Sequence, residues 1–148
     1  METTPSLQSG SGFDLSPLSA DHRRALEADL SDEERQVILR QGTERPFCGG
    51  LLNEKRAGVF VCRLCGLPLF RSQTKFESGT GWPSFHTPFD PDHFRSIRDA
   101  SHGMARTEIR CKRCDGHLGH VFDDGPAPTH QRYCLNSVSL SFVADETR

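Results

Sequence analysis

The chain has almost no excess charge: 18 Lys and Arg against 20 Asp and Glu leave a formal −2 over 148 residues. Binding to nucleic acid or to an anionic membrane surface requires a basic footprint, so neither partner is expected. Long apolar runs are missing too; the longest comparable stretch, Val138 to Ala144, is broken by serines and is far short of a membrane span. The first residues offer neither a basic n-region nor an apolar h-region, which argues against a secretory signal. Met1 to Ser19 are rich in Ser, Gly, Thr and Pro and are expected to form a mobile tail. Residues 20–148 then make one domain, long enough to bury a real core. No internal repeat or further low-complexity block appears. Without a signal a reducing compartment, the cytoplasm, is expected. There the six cysteines are better read as metal-bound or catalytic than as structural disulfides.

Helical periodicity is also scarce. Ser19 to Ala28 has weak helical character, and a firmer start follows at Ser31-Asp32-Glu33-Glu34. There Ser31 can cap the first turn while Glu34 reaches back as a capping box, and Gly42 supplies the stop. Beyond Gly42 short alternating runs take over: Gly58–Cys62, Leu67–Arg71, Phe94–Arg98, Arg106–Arg110, Gly119–Phe122, Gln131–Asn136 and Val138–Val143. Each is bounded by turn formers, as in a body of short antiparallel strands. The expected fold is mainly β behind a short N-terminal helical segment.

What the chain does have is cysteine in pairs. Cys62-Arg63-Leu64-Cys65 and Cys111-Lys112-Arg113-Cys114 are two C-x-x-C turns, each followed by small or turn residues, Gly66 and Asp115-Gly116. Each turn brings two thiolates to one ion, and two turns complete a closed tetrahedral shell with no open position for water. One C-x-x-C alone would also suit a thioredoxin-like redox motif, but neither pair sits in a βαβ pattern. One structural zinc ion is therefore expected, held by Cys62, Cys65, Cys111 and Cys114.

Two cysteines are left. Cys48 sits in the turn-like stretch Arg45-Pro46-Phe47-Cys48-Gly49-Gly50, and Cys134 in Arg132-Tyr133-Cys134-Leu135-Asn136-Ser137. A lone cysteine can be no more than a small buried hydrophobe. If residues 130–137 form a strand, however, its period of two puts Arg132, Cys134 and Asn136 on one face, a setting that favours thiolate. Just upstream lie His117, His120, Asp123 and Asp124. A nucleophilic thiol plus a second, mobile thiol suffices for a reductase that forms a sulfenic acid and resolves it as a disulfide. Two other readings stand beside this one. A zinc-stapled β domain could bind a protein partner without chemistry, and His117, His120 and Cys134 could hold a second, hydrolytic ion.

Several motifs in order resemble one family. Gly42-Thr43-Glu44-Arg45-Pro46-Phe47, Ser78-Gly79-Thr80-Gly81-Trp82-Pro83-Ser84-Phe85, His117-Leu118-Gly119-His120-Val121-Phe122 and Arg132-Tyr133-Cys134-Leu135-Asn136-Ser137 are similar to those of the type B methionine sulfoxide reductases. The likeness runs from about Ser31 to Phe142. It implies two antiparallel sheets, β-tent-like, with structural zinc distant from the active site. It also implies reduction of methionine-R-sulfoxide in oxidised proteins, with thioredoxin as the external reductant. By the same likeness Cys134 is the nucleophile, and His117 and His120 position and protonate the sulfoxide oxygen. Asp124, Arg132 and Asn136 are polar residues around the site, where Asp124 could orient a histidine. Trp82 receives the substrate methyl group, and Phe85 of the same motif goes with it to substrate binding. Many members carry their resolving cysteine where this chain has Thr80, and the resemblance moves that role to Cys48.

Overall fold

A computed structural model describes residues 8–40, 42–45, 47, 49–99 and 106–145. Among these residues two short helices lead into nine strands. Helix α1 spans Ala20–Ala28 and α2 spans Asp32–Ile38. At α2 the expected capping box is complete: the Ser31 hydroxyl accepts from the Glu34 N–H at 3.1 Å, and the Glu34 carboxylate accepts from the Ser31 N–H at 2.8 Å. The helix closes at Leu39, before the glycine expected to end it. Val37 and Ile38 are its buried face.

The strands are β1 Gly58–Cys62, β2 Pro68–Arg71, β3 Lys75–Phe76, β4 Ser84–Phe85, β5 Phe94–Asp99, β6 Arg106–Cys111, β7 His117–Phe122, β8 Arg132–Leu135 and β9 Leu140–Ala144. They form two antiparallel sheets, one ordered β2-β1-β9 and the other β3-β4-β8-β7-β6-β5. Strand β8 of the larger sheet passes to β9 of the smaller through one turn of 3₁₀ helix at Ser137–Ser139. The chain also crosses between the sheets from β2 to β3, through a second 3₁₀ turn at Ser72–Thr74.

The sheets are seamed by aromatic rings. Phe60 of β1 meets Phe85 of β4 edge-on at 5.0 Å, Phe70 of β2 stacks on Phe85 at 4.3 Å, and Phe70 also meets Tyr133 of β8 at 5.5 Å. Offset and edge-on arrangements of this kind suit the ring quadrupole and add to the gain from burial. Phe60, Phe70 and Phe85 have no exposed surface at all. Phe85, expected at the substrate, is therefore a core residue, and it does not line the cavity at Cys134. The alternation of β4 turns it away from that cavity, because Ser84, not Phe85, pairs with Cys134 across the sheet.

Part of the stretch expected to be a mobile tail is bonded to the body. Ser11 donates from both its N–H and its hydroxyl to the Asp90 carboxylate at 2.8 and 2.7 Å, and Ser9 Oγ lies 2.8 Å from Nε2 of the buried His93. Leu15 is buried in the core. The small polar residues that read as a solvated linker instead donate and accept bonds along the body. Residues 1–7 of the expected tail lie outside the described ones.

Replacing Phe85 by Ala should cost about 3–5 kcal/mol of stability, as for other buried aromatics. Urea unfolding checks this. The KM of the folded variant for sulfoxide should stay unchanged, and a raised KM without loss of stability would return Phe85 to the substrate.

Candidate active site

The four paired cysteines converge. Their sulfurs all lie within 4.8 Å of one another, with Cys62 and Cys114 at 3.6 Å and Cys65 and Cys111 at 3.4 Å. Sulfurs around one tetrahedral zinc sit roughly 3.8 Å apart, given Zn–S bonds of about 2.3 Å, so the set fits such an ion. The two turns are built alike. The N–H groups of Gly66 and Asp115 return to the carbonyls of Cys62 and Cys111 at 2.9 and 2.8 Å, and both closing residues have positive φ, +81° and +63°. Glycine adopts that conformation without strain, and Asp tolerates it better than most residues. The Gly116 N–H also points at Cys114 Sγ, 3.4 Å away. Without a cation the thiols compete for charge. S–H donors from Cys111, Cys114 and Cys62 pull the Cys65 thiol far down, while sulfur contacts and burial hold Cys62 and Cys111 well up. Only a cation lets all four ionise together.

Cys134 stands apart from that cluster, in the lining of a cavity of about 250 Å³. Trp82 and Thr80 come to it from the loop before β4, His120 and Phe122 from β7, and Arg132 and Asn136 from either side of the cysteine on β8. Strand alternation places Arg132, Cys134 and Asn136 together, as the period of two predicts. Gly119 permits the close approach of β7, since a Cβ there would stand 2.0 Å from the Cys134 carbonyl oxygen. Arg132 is held by Asp124 at 2.9 and 3.2 Å and stacks its guanidinium over Phe122 at 4.4 Å. The expectation that Asp124 orients a histidine is thus replaced: both its oxygens face Arg132. The thiol also departs from expectation. Burial pushes the Cys134 pKa up, outweighing the Thr80 hydroxyl and the Arg132 guanidinium that favour thiolate, and the Glu44 carboxylate adds to the rise.

The histidines share a face for a reason the spacing alone does not give. Residues i and i+3 of a regular strand point to opposite faces. Between β6 and β7 the register slips: Ile109 pairs with Gly119, while Arg110 pairs with His117. The extra residue, Leu118, is a bulge that turns His117 back to the side of His120. Their rings meet edge-on at 5.7 Å. His120 borders the cavity opposite Cys134, and His117 lies behind it, 3 % exposed, with Nδ1 2.7 Å from Glu108 Oε2.

Asn136 is turned inward. Its side-chain oxygen accepts the Glu44 N–H at 3.0 Å, and its amide nitrogen donates to the bulge carbonyl of Leu118 at 3.2 Å. Glu44 in turn accepts the Trp82 indole N–H on its backbone carbonyl at 3.0 Å. One amide therefore ties the indole wall to the histidine bulge. Cys48 lies outside the described residues. Sequence reasoning missed Glu44 and Glu108. Glu108 alternates with Arg106 and Arg110 along β6, a pattern that reads equally well as a solvated face, and Glu44 carries no local signal.

Residues 30–144 match the SelR domain family model. The chain is 64 % identical over 135 residues to "Peptide methionine sulfoxide reductase MsrB" of Caulobacter vibrioides (strain NA1000 / CB15N), covering 91 % of this chain and 85 % of that protein. The chain belongs to the type B methionine sulfoxide reductases. A second relative of the family, "Peptide methionine sulfoxide reductase MsrB" of Xylella fastidiosa (strain M23), is 58 % identical over 135 residues, with 91 % and 87 % covered. Among the described residues no helix is long and apolar enough to cross a membrane.

Two outcomes follow from the sulfurs. Alkylation of Cys134 by iodoacetamide, followed by mass spectrometry in a Cys48→Ser background, should rise with pH to a midpoint above the ordinary thiol value of about 8.5; a midpoint near neutrality would contradict the burial of the thiol. Stripping metal with a chelator under mild denaturant should lower Tm sharply, because an ion that closes so long a loop contributes its binding free energy to folding. An unchanged Tm would remove the metal from the fold.

Proposed function

We propose that this family member reduces methionine-R-sulfoxide in oxidised proteins to methionine, using Cys134 as nucleophile, Cys48 as resolving thiol and thioredoxin as reductant in the cytoplasm. Zinc on Cys62, Cys65, Cys111 and Cys114 holds the fold and takes no part in the reaction. The observation that carries the reading is the cavity at Cys134, which an indole, a histidine and an arginine line together.

A sulfoxide combines an electrophilic sulfur with a poor leaving oxygen, so thiolate attack and proton donation must come together. Cys134 is half-buried and rests as the thiol; His120 across the strand pair takes its proton. The thiolate attacks the sulfoxide sulfur while that proton goes to the oxygen, a step for which general acid catalysis typically contributes roughly 10²–10⁴. In the adduct so formed the hydroxyl passes from the methionine sulfur to Cys134 Sγ as the S–O and S–S bonds break together, so methionine leaves with the electron pair and Cys134 carries the hydroxyl as sulfenic acid. The Cys48 sulfur then displaces that hydroxyl as water, and an external dithiol reduces the disulfide. Trp82 offers an apolar surface to the S-methyl group, and His120 and Arg132 line the polar side for the oxygen. Exchanging the two substituents mismatches both walls, which is the physical basis for choosing one epimer. Asn136 acts through the backbone of Glu44 and Leu118 to keep the two walls in register.

Mixing reduced protein with separate R and S sulfoxides, assaying methionine and mapping disulfides tests the reading. Methionine should come from the R epimer with a Cys48–Cys134 bridge. No methionine would sink the activity, and methionine with Cys134 left as sulfenic acid would sink only the role of Cys48. Cys134→Ser should abolish release. Cys48→Ser should stop after one stoichiometric turnover when thioredoxin is the donor.

A further inference from the structure

The reaction asks a histidine to take a proton from a half-buried thiol and return it to an oxygen, so the protonation pattern of the ring pair has to be set in advance. His120 faces Cys134; His117 stands behind, edge-on to it. The groups facing His117 are Glu108 and Arg110 from β6, His120 from its own strand, and Arg23 and Asp115 around a small cavity of about 120 Å³ on its other side. Of these, Glu108 makes the direct bond: its Oε2 lies 2.7 Å from His117 Nδ1, and the two side chains are only 7 % and 3 % exposed. Arg110 grips the same carboxylate from Nε at 2.8 Å and from its second terminal nitrogen at 3.3 Å.

We propose that Glu108 is the positioning residue of the histidine pair, accepting the Nδ1–H of His117 so that the ring is held edge-on to His120 with its Nε2 bare. This rests on the reductase reading above. The chemistry leaves one choice of tautomer. An ionised carboxylate only accepts, so the nitrogen facing it carries the hydrogen, and a neutral imidazole then has its lone pair on the other nitrogen. Arg110 keeps the buried carboxylate ionised, since a paired and hydrogen-bonded charge tolerates burial where a lone one does not. A purely structural ion pair would be complete with the Arg110 fork. The third bond, to a neutral ring, adds nothing to the charge balance and serves to orient the ring. The same device, a carboxylate that selects the tautomer of a neighbouring histidine, recurs in hydrolytic triads on unrelated folds. The proton that leaves Cys134 through His120 ends on the sulfoxide oxygen and becomes the O–H of the sulfenic acid, so the pair ends the step as it began.

Long-range ¹H–¹⁵N correlation on ¹⁵N-histidine protein reads the tautomer directly, without substrate. His117 should show hydrogen on Nδ1; hydrogen on Nε2 in the unaltered protein overturns the proposal, whatever any variant does. Glu108→Gln keeps the shape. Arg110 then demands the amide oxygen, the amide N–H₂ faces Nδ1, and the tautomer should flip. Single-turnover methionine release should fall at least roughly 100-fold, the low end for loss of acid–base catalysis, with KM little changed. A flipped tautomer with undiminished release, or a KM rise that accounts for the whole loss, would overturn the assignment. Absence of methionine from the unaltered protein would instead overturn the reductase reading, so the two failures are told apart.

Discussion

The two sheets depend on a four-residue polar corner, Asn136 to Ser139, sunk where an apolar plug would be the simpler choice. Its groups are spoken for in every direction. The Asn136 N–H joins its own side chain on the Leu118 carbonyl, and the Ser139 hydroxyl donates to the His117 carbonyl at 2.8 Å. The Val138 N–H goes to Glu44 Oε1 at 3.0 Å, and the Arg63 N–H reaches the Ser139 carbonyl at 2.9 Å. An unpaired buried amide or hydroxyl costs about 1–3 kcal/mol, so each partner is held where the corner needs it. The loop before β1, the first cysteine turn and the histidine strand are therefore positioned by the same short segment that leads out of the nucleophile strand. The polar network gives directionality that hydrophobic burial cannot.

That segment links two features that would otherwise be independent. The β-bulge at Leu118 leaves a carbonyl outside the regular ladder, and Asn136 captures it twice. The bulge puts His117 and His120 on one face; the captor sits two residues after Cys134. Histidine pair and thiol are thus registered through backbone atoms, with little left to side-chain rotamers. Asn136, Glu44 and Glu108 all work at one remove, and a change at any of them reaches the thiol through the positions of others.

Much of this was legible in the sequence where local rules operate over several residues. The capping box at Ser31, the two cysteine turns, the bounds of β1 and the shared face of Arg132, Cys134 and Asn136 all follow from short-range geometry. The two-residue strands β3 and β4 show no period to read; β4 forms because β8 offers it an edge, and β3 adds to β4 in turn. The partner of Asp124 was misread because Arg132, not a histidine, pairs beside it on the neighbouring strand. Phe85 was misread because motif membership says nothing of which face of a two-residue strand a ring takes. The thiol's resting state was misread because burial is a sum over the whole fold, while Arg132 is visible two residues away. The paired cysteines were read best, since four sulfurs that gather at one point leave a pattern in spacing.

Trp82 is the sole tryptophan of the chain. Its indole N–H is bonded to Glu44, and it lines the cavity at Cys134. Emission excited at wavelengths that Tyr133, the one tyrosine, does not absorb therefore comes from a single address. Spectral position and quenching then report the polarity and occupancy of one wall. Binding, sulfur oxidation and reduction at that wall can be followed in time by native fluorescence, with no label attached.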